Sequence, residues 1–156
     1  MTAYSAALNC TVRDMDERFE RCLRDGKLAR IGSQPDLVDK ELKAAESDLE
    51  TAEDSATEGN FKWATIQAYY TMFHTVKALV MSRGYREKSH ACLSIALKAL
   101  FVDGGILEAK HHNRFRDCMN LREDADYGLV YSESSAKAAV GWAKEFLEDA
   151  KIIIAI

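Results

Sequence analysis

A single proline, Pro35, and eight glycines punctuate this chain of 156 residues, and that scarcity of turn formers is its strongest constraint. An all-β sandwich or barrel of this length needs many tight turns, and Gly, Pro, Asn, Asp and Ser supply them. One proline cannot easily serve that many turns, so the chain reads as mostly helical. The breakers also fall almost entirely between apolar-periodic stretches, where helix ends belong.

Six stretches follow. The first places Val12, Met15, Phe19 and Cys22 at three- and four-residue steps and stops near Gly26. Gly32-Ser33-Gln34-Pro35 reads as a linker. The second carries Val38, Leu42, Ala45, Leu49, Ala52 and Ala56, a continuous 4-3-4-3-4 stripe suited to packing on another helix. The third, from Phe61 to about Arg83, is apolar on nearly every side, which marks the central helix of a bundle. Ser89 reads as an N-cap for the fourth, which Gly104-Gly105 closes. The fifth runs from about Leu107 to Tyr127, and the sixth follows Ser132, with Gly141 inside it read as a close-packing point. The expected architecture is all-α, an up-and-down bundle of five to six helices. Residues 1–34 read as an N-terminal helix with its linker, and residues 35–156 as the bundle domain.

Composition narrows the function. With 47% hydrophobic and 29% charged residues, the chain is neither disordered nor collagen-like. Cys10, Cys22, Cys92 and Cys118 form no CxxC pair and are expected to be buried free thiols. No basic and apolar leader opens the chain, and no apolar run approaches the ~20 residues that span a bilayer. A cytoplasmic location without membrane contact is therefore expected. Walker, HExxH and GxSxG motifs are absent, and adjacent His111 and His112 point to different sides of a helix. Neither a metal nor another cofactor is expected.

The net charge of −4 hides a segregation. Residues 36–59 hold nine acids and two lysines, a balance of −7. Residues 83–122 hold eight cations and four acids, a balance of +4, together with three histidines. The first pattern suits a solvated acidic face. The second permits a local phosphate site, since Lys and Arg displace counterions from phosphates.

Two helices place polar groups on apolar faces. Continuing the Phe115, Cys118, Met119 stripe lands on Arg122 and then Asp126, four residues apart and within mutual reach. Burying either charge alone would cost several kcal/mol, roughly speaking, so a pair or a polar cavity is expected. On the third stretch Tyr70, His74 and Lys77 form a polar seam. If the seams face each other, Arg122, Asp126, Tyr127, Tyr70 and His74 share one pocket.

Three segments resemble the HEPN-domain family. Residues Trp63 to His74, WATIQAYYTMFH, are similar to its A-x-x-x-A-Y-Y-A-M-F-H-A segment. Gly84-Tyr85-Arg86-Glu87-Lys88-Ser89-His90 is similar to its G-Y-x-x-K-S-H loop, and Leu121 to Gly128, LREDADYG, to its L-R-x-x-A-D-Y-G signature. The resemblance runs from about residue 36 to 152, in the family's order. It implies a helical bundle, commonly a homodimer, often paired with a small nucleotidyltransferase in toxin–antitoxin systems. Many relatives are metal-independent ribonucleases whose motif is an Arg and a His separated by four to six residues. Arg122 matches that arginine, whereas Asp126-Tyr127 stands where the histidine would fall. Arg83 and His90 satisfy the spacing but lie in the loop region.

RNA cleavage without metal needs a base for the 2′-hydroxyl and an acid for the leaving oxygen. Tyr127, with an ordinary pKa near ~10, serves poorly as a base at neutral pH. His74 or His90 would have to substitute, with Arg122 stabilising phosphorane charge. The expected function is a module that binds nucleotide or RNA phosphate through Arg122, Lys88, Ser89, Tyr70, Asp126 and Tyr127 beside a nucleotidyltransferase partner. The alternatives are a ribonuclease toxin using Arg122 with His74 or His90, and a structural dimeric adaptor.

Overall fold

A computed structural model describes residues 17–155; the expectations that fall on Cys10, Val12 and Met15 lie outside them. Residues 17–24 are helical (α1). They are followed by strand β1 (Leu28–Arg30), helices α2 (Pro35–Thr57) and α3 (Phe61–Ser82), and strand β2 (Tyr85–Glu87). Next come α4 (His90–Leu97), a π-helical turn over Lys98–Val102, α5 (Ala109–Asp126) and α6 (Glu133–Ala155). Among the described residues the fold is an all-α bundle carrying one two-stranded ribbon.

Local chemistry sets the helix ends. Pro35 opens α2, where its missing N–H costs nothing and its fixed φ suits the first turn, and Asp36 complements the positive end of the helix dipole. Gly59, at φ +79°, follows α2 in the left-handed region that other residues resist. The Ser89 hydroxyl accepts from the Cys92 amide at 3.4 Å and caps α4. Ser132 Oγ accepts from the Ser135 amide at 3.1 Å at the start of α6.

α3 is the central helix and packs against α2, α4, α5 and α6. Its nearly all-round apolar surface requires this, because each side must find a neighbour. α6 meets it with fully buried Ala136, Ala139, Ala143 and Ala150, whose small side chains admit close approach, while Phe146 fills the core. Tyr69 stacks on Phe115 at 6.0 Å between ring centres, joining α3 to α5. Such aromatic pairs contribute about 0.5–1.5 kcal/mol beyond the area they bury.

Four details depart from the sequence reading. The stretch read as loop and linker holds β1, which pairs antiparallel with β2 in the register Leu28 to Glu87, Ala29 to Arg86 and Arg30 to Tyr85. Two strands of three residues each are too short to show alternation, so periodicity could not reveal them. Cys22 and Cys92 are joined by a disulfide across 70 residues of sequence, so only Cys118 among the described cysteines is a buried free thiol. Gly141 is exposed, with nothing within 4 Å of where a Cβ would sit, so it is not a close-packing point. The fourth helix passes into a π-helical turn before the Gly104-Gly105 break.

Candidate functional site

Arg122 sits in the last turns of α5, where that helix lies against α3. Its Nη2 donates to the Tyr70 hydroxyl at 3.3 Å and lies 3.4 Å from Asp126 Oδ2, one helical turn on. Three tyrosines surround the guanidinium, with ring centres at 5.7 Å (Tyr69), 5.7 Å (Tyr70) and 5.5 Å (Tyr127). Cation–π attraction of this kind contributes about 0.5–2 kcal/mol, more where water is excluded. Burial works against the charge, but Tyr70, Tyr127, Asp126 and Tyr69 outweigh it and hold the Arg122 pKa above its ordinary value. Nε is buried without an acceptor, while the side chain keeps 21% of its surface exposed, so an incoming anion would meet the Nη donors. An arginine has five donors, and those left unpaired favour an incoming anion.

Tyr69 links this cluster to the α4 N-terminus. Its hydroxyl lies 3.5 Å from His90 Nδ1, and the His90 ring packs on Phe73 with centres 5.0 Å apart. Burial raises the Tyr69 pKa despite the opposing pull of Arg122. His90 and Lys88 are themselves exposed, and Ser89 between them is half-buried. Arg122, Tyr70, Tyr69, Asp126, Tyr127 and His90 thus form a connected series from α5 across α3 to α4.

His74 stands apart. Its Nδ1–H donates to Glu41 Oε2 at 2.6 Å, and Nε2 lies 3.6 Å from Asp48 Oδ2, both on α2. Lys77 shares the same carboxylate at 3.4 Å and reaches Glu87 of β2 at 3.5 Å. Burial pushes the Glu41 pKa up, but His74 and Lys77 overcome that and leave it lowered. Burial dominates at Asp48, which is raised. The Tyr70, His74, Lys77 seam therefore divides, with Tyr70 turned to α5 and the other two to α2. His74 does not join Arg122.

The adjacent histidines diverge as helix geometry requires. His111 Nε2–H donates to Asp149 Oδ2 of α6 at 2.7 Å and stacks on Phe146, whereas His112 Nε2 lies 3.1 Å from Ser94 Oγ of α4. Among the described residues, His111, Glu145 and Asp149 bring one ligand atom each within 4.8 Å of one another. Sequence reasoning missed this group because two members come from α6. Glu145, however, already holds Lys110 at 2.5 Å and Arg114 at 2.8 Å, and two cations beside a donor set repel a metal ion.

A helical bundle with an arginine-centred polar cluster between two of its helices is the class of protein these features define. A model of the HEPN domain matches residues 38–153, and the chain belongs to that family. It is 28% identical over 111 residues to a candidate toxin of Methanocaldococcus jannaschii, covering 70% of this chain and 83% of the relative. It is 26% identical over 119 residues to a UPF0332 protein of Archaeoglobus fulgidus, covering 76% and 90%. A UPF0332 protein of Gloeobacter violaceus is 29% identical over 106 residues, covering 68% and 81%. No helix among the described residues is long and apolar enough to cross a membrane.

Proposed function

We propose that this HEPN protein binds the phosphate groups of RNA or a nucleotide at Arg122, acting in a toxin-type system. The observation that carries the reading is the partly exposed guanidinium of Arg122, held by Tyr70 and Asp126 beside the rings of Tyr69, Tyr70 and Tyr127. A planar cation held in place with spare Nη donors suits a phosphate oxygen. Lys88, Ser89 and His90 extend the anion-binding surface at the α4 N-terminus. Support for a toxin-type setting comes from relatives named as candidate toxins. A nucleotidyltransferase partner and a homodimer follow from the family resemblance. Exposed Tyr127, Leu129, Val130 and Tyr131, a contiguous apolar run, favour association with another protein surface. In this reading residues 35–156 are the working module and residues 1–34 an addition to it.

A second reading rests on Tyr69. His90 lies 3.5 Å from its hydroxyl and Arg122 stands over its ring, so one buried side chain brings a base and a phosphate-stabilising cation into the same neighbourhood, and a metal-independent ribonuclease needs both. His74, committed to α2 carboxylates, takes no part. Incubation of the protein with total RNA in chelator separates the two. RNA retained by the protein but left intact, with retention lost in Arg122→Ala, supports the binding module. Cleavage abolished by both Arg122→Ala and His90→Ala supports the ribonuclease. A protein that neither retains nor cleaves RNA, and whose stability phosphate does not change, removes both.

A further inference from the structure

The ribbon formed by β1 and β2 presents one face to the bundle. Leu28 is buried in the core, Glu87 reaches Lys77, and Tyr85 packs edge-on against Phe19 of α1. Strand residues alternate between faces, so Ala29 and its partner Arg86 lie on the opposite side. The ladder continues by one step, because the Lys88 amide donates to the Lys27 carbonyl at 2.9 Å. Lys27 and Lys88 therefore face each other on the same outer side as Arg86. All three are exposed, and among the described residues none of them has a carboxylate within ion-pair distance.

Like charges directly opposite on a ribbon destabilise it. A polyanion laid across the face removes that repulsion. The position of the face matters as much as its charge. Lys88 is two residues before His90, which meets the Tyr69 hydroxyl, and Tyr69 in turn lies under Arg122. The Cys22–Cys92 disulfide fastens α1, and the ribbon that follows it, to α4 two residues beyond His90.

The geometry points to the outer face of this ribbon as an RNA-backbone track, in which Lys27 and Arg86 carry the strand that Arg122 holds at its phosphate. The inference rests on the phosphate-binding reading above and adds to it a surface from residues 27–30, outside the matched family segment of 38–153. Small Ala29 between the cations leaves the backbone of a single strand free to approach. An acidic protein surface, including α2 of a second copy, is the competing occupant.

The test is fluorescence anisotropy of a labelled single-stranded RNA across a salt series, with the parent, Lys27→Ala/Arg86→Ala and Arg122→Ala proteins. Each phosphate of a single strand that no longer meets a cation lowers the slope of log affinity against log salt by about 0.7. The double variant is expected to lose about 1.4 in slope and roughly tenfold or more in affinity at 0.1 M salt. Thermal melting checks that it is folded, and Lys27→Gln alone, expected to lose half that slope, replaces it if it is not. Unchanged affinity and slope in the folded double variant, with Arg122→Ala still defective, overturn the ribbon track and leave the Arg122 reading standing. Loss in the double variant with none in Arg122→Ala supports the track and removes that reading. Loss of self-association in the double variant at unchanged RNA affinity assigns the face to a second copy and overturns the inference.

Discussion

Arg122 on α5 and Tyr70 on α3 are joined by one hydrogen bond of 3.3 Å, from the guanidinium Nη2 to the phenol oxygen. The bond ties the C-terminal turns of α5 to the central helix and aims a cation that Asp126 alone would leave free to swing. Tyr70→Phe removes the acceptor and keeps the ring. The expected outcome is a stability loss of about 0.5–1.5 kcal/mol by chemical denaturation, with RNA affinity falling by a smaller factor than in Arg122→Ala. Equal loss in both variants would mean that the phenol itself holds the ligand.

With its carboxylate 3.4 Å from Nη2, Asp126 would compete with a phosphate for Arg122. The carboxylate is a third exposed, so the pair is screened and contributes about 0.2–1 kcal/mol. Asp126→Asn is therefore expected to tighten RNA binding up to about fivefold, as read by titration at constant salt. Weaker binding would give Asp126 a positive role in holding the ligand.

The Cys22–Cys92 disulfide closes 70 residues of chain and holds α1 to α4. Cross-links of that reach stabilise folded proteins by about 2–4 kcal/mol, chiefly by restricting the unfolded chain. Reduction with dithiothreitol, or the Cys22→Ser substitution, is expected to lower the melting temperature by roughly 5–15 °C. An unchanged melt would show that the two thiols are not bonded in solution.

Cys118 is a different case. Burial pushes its thiol pKa up to about 12, Asp117 adds to the effect and Arg114 only partly opposes it. The folded protein should leave Cys118 unmodified by iodoacetamide at pH 8, by peptide mapping, and guanidinium should expose it to rapid alkylation.

His112 sets an acid limit. Burial lowers its pKa below the ordinary 6.5, and Arg116 and Lys98 lower it further. The folded state resists a proton that the unfolded chain accepts, so stability declines as pH falls below 6.5 towards the lowered value. Glu41 acts at lower pH. Burial alone would raise its pKa, but His74 and Lys77 hold it below 4.5, so the stability it contributes is lost as pH falls through that lowered value. Denaturation curves from pH 7 to 5 should show the first decline, and His112→Gln should flatten it.

The helices were legible because their cores repeat. Val38, Ala45 and Ala52 are buried at seven-residue intervals on α2, and the all-round apolar α3 lies at the centre. Arg122 and Asp126 could be paired from spacing alone. What spacing cannot tell is which neighbour a polar residue faces. Tyr70 and His74 are one turn apart, yet the first meets α5 and the second α2. Equally, nothing in the local pattern marks β1, β2, or Cys22 and Cys92, whose partners lie more than fifty residues away.

Everything proposed for the site depends on Arg122 being the cation that holds phosphate. The most direct test of that role is the affinity of labelled single-stranded RNA for the parent protein and for Arg122→Ala, at one salt concentration and with both proteins shown to be folded. Removing a charge-assisted hydrogen bond of about 1.5–3 kcal/mol predicts a drop of roughly 10- to 100-fold. Equal affinity in the two proteins would rule out Arg122 as the phosphate-holding residue.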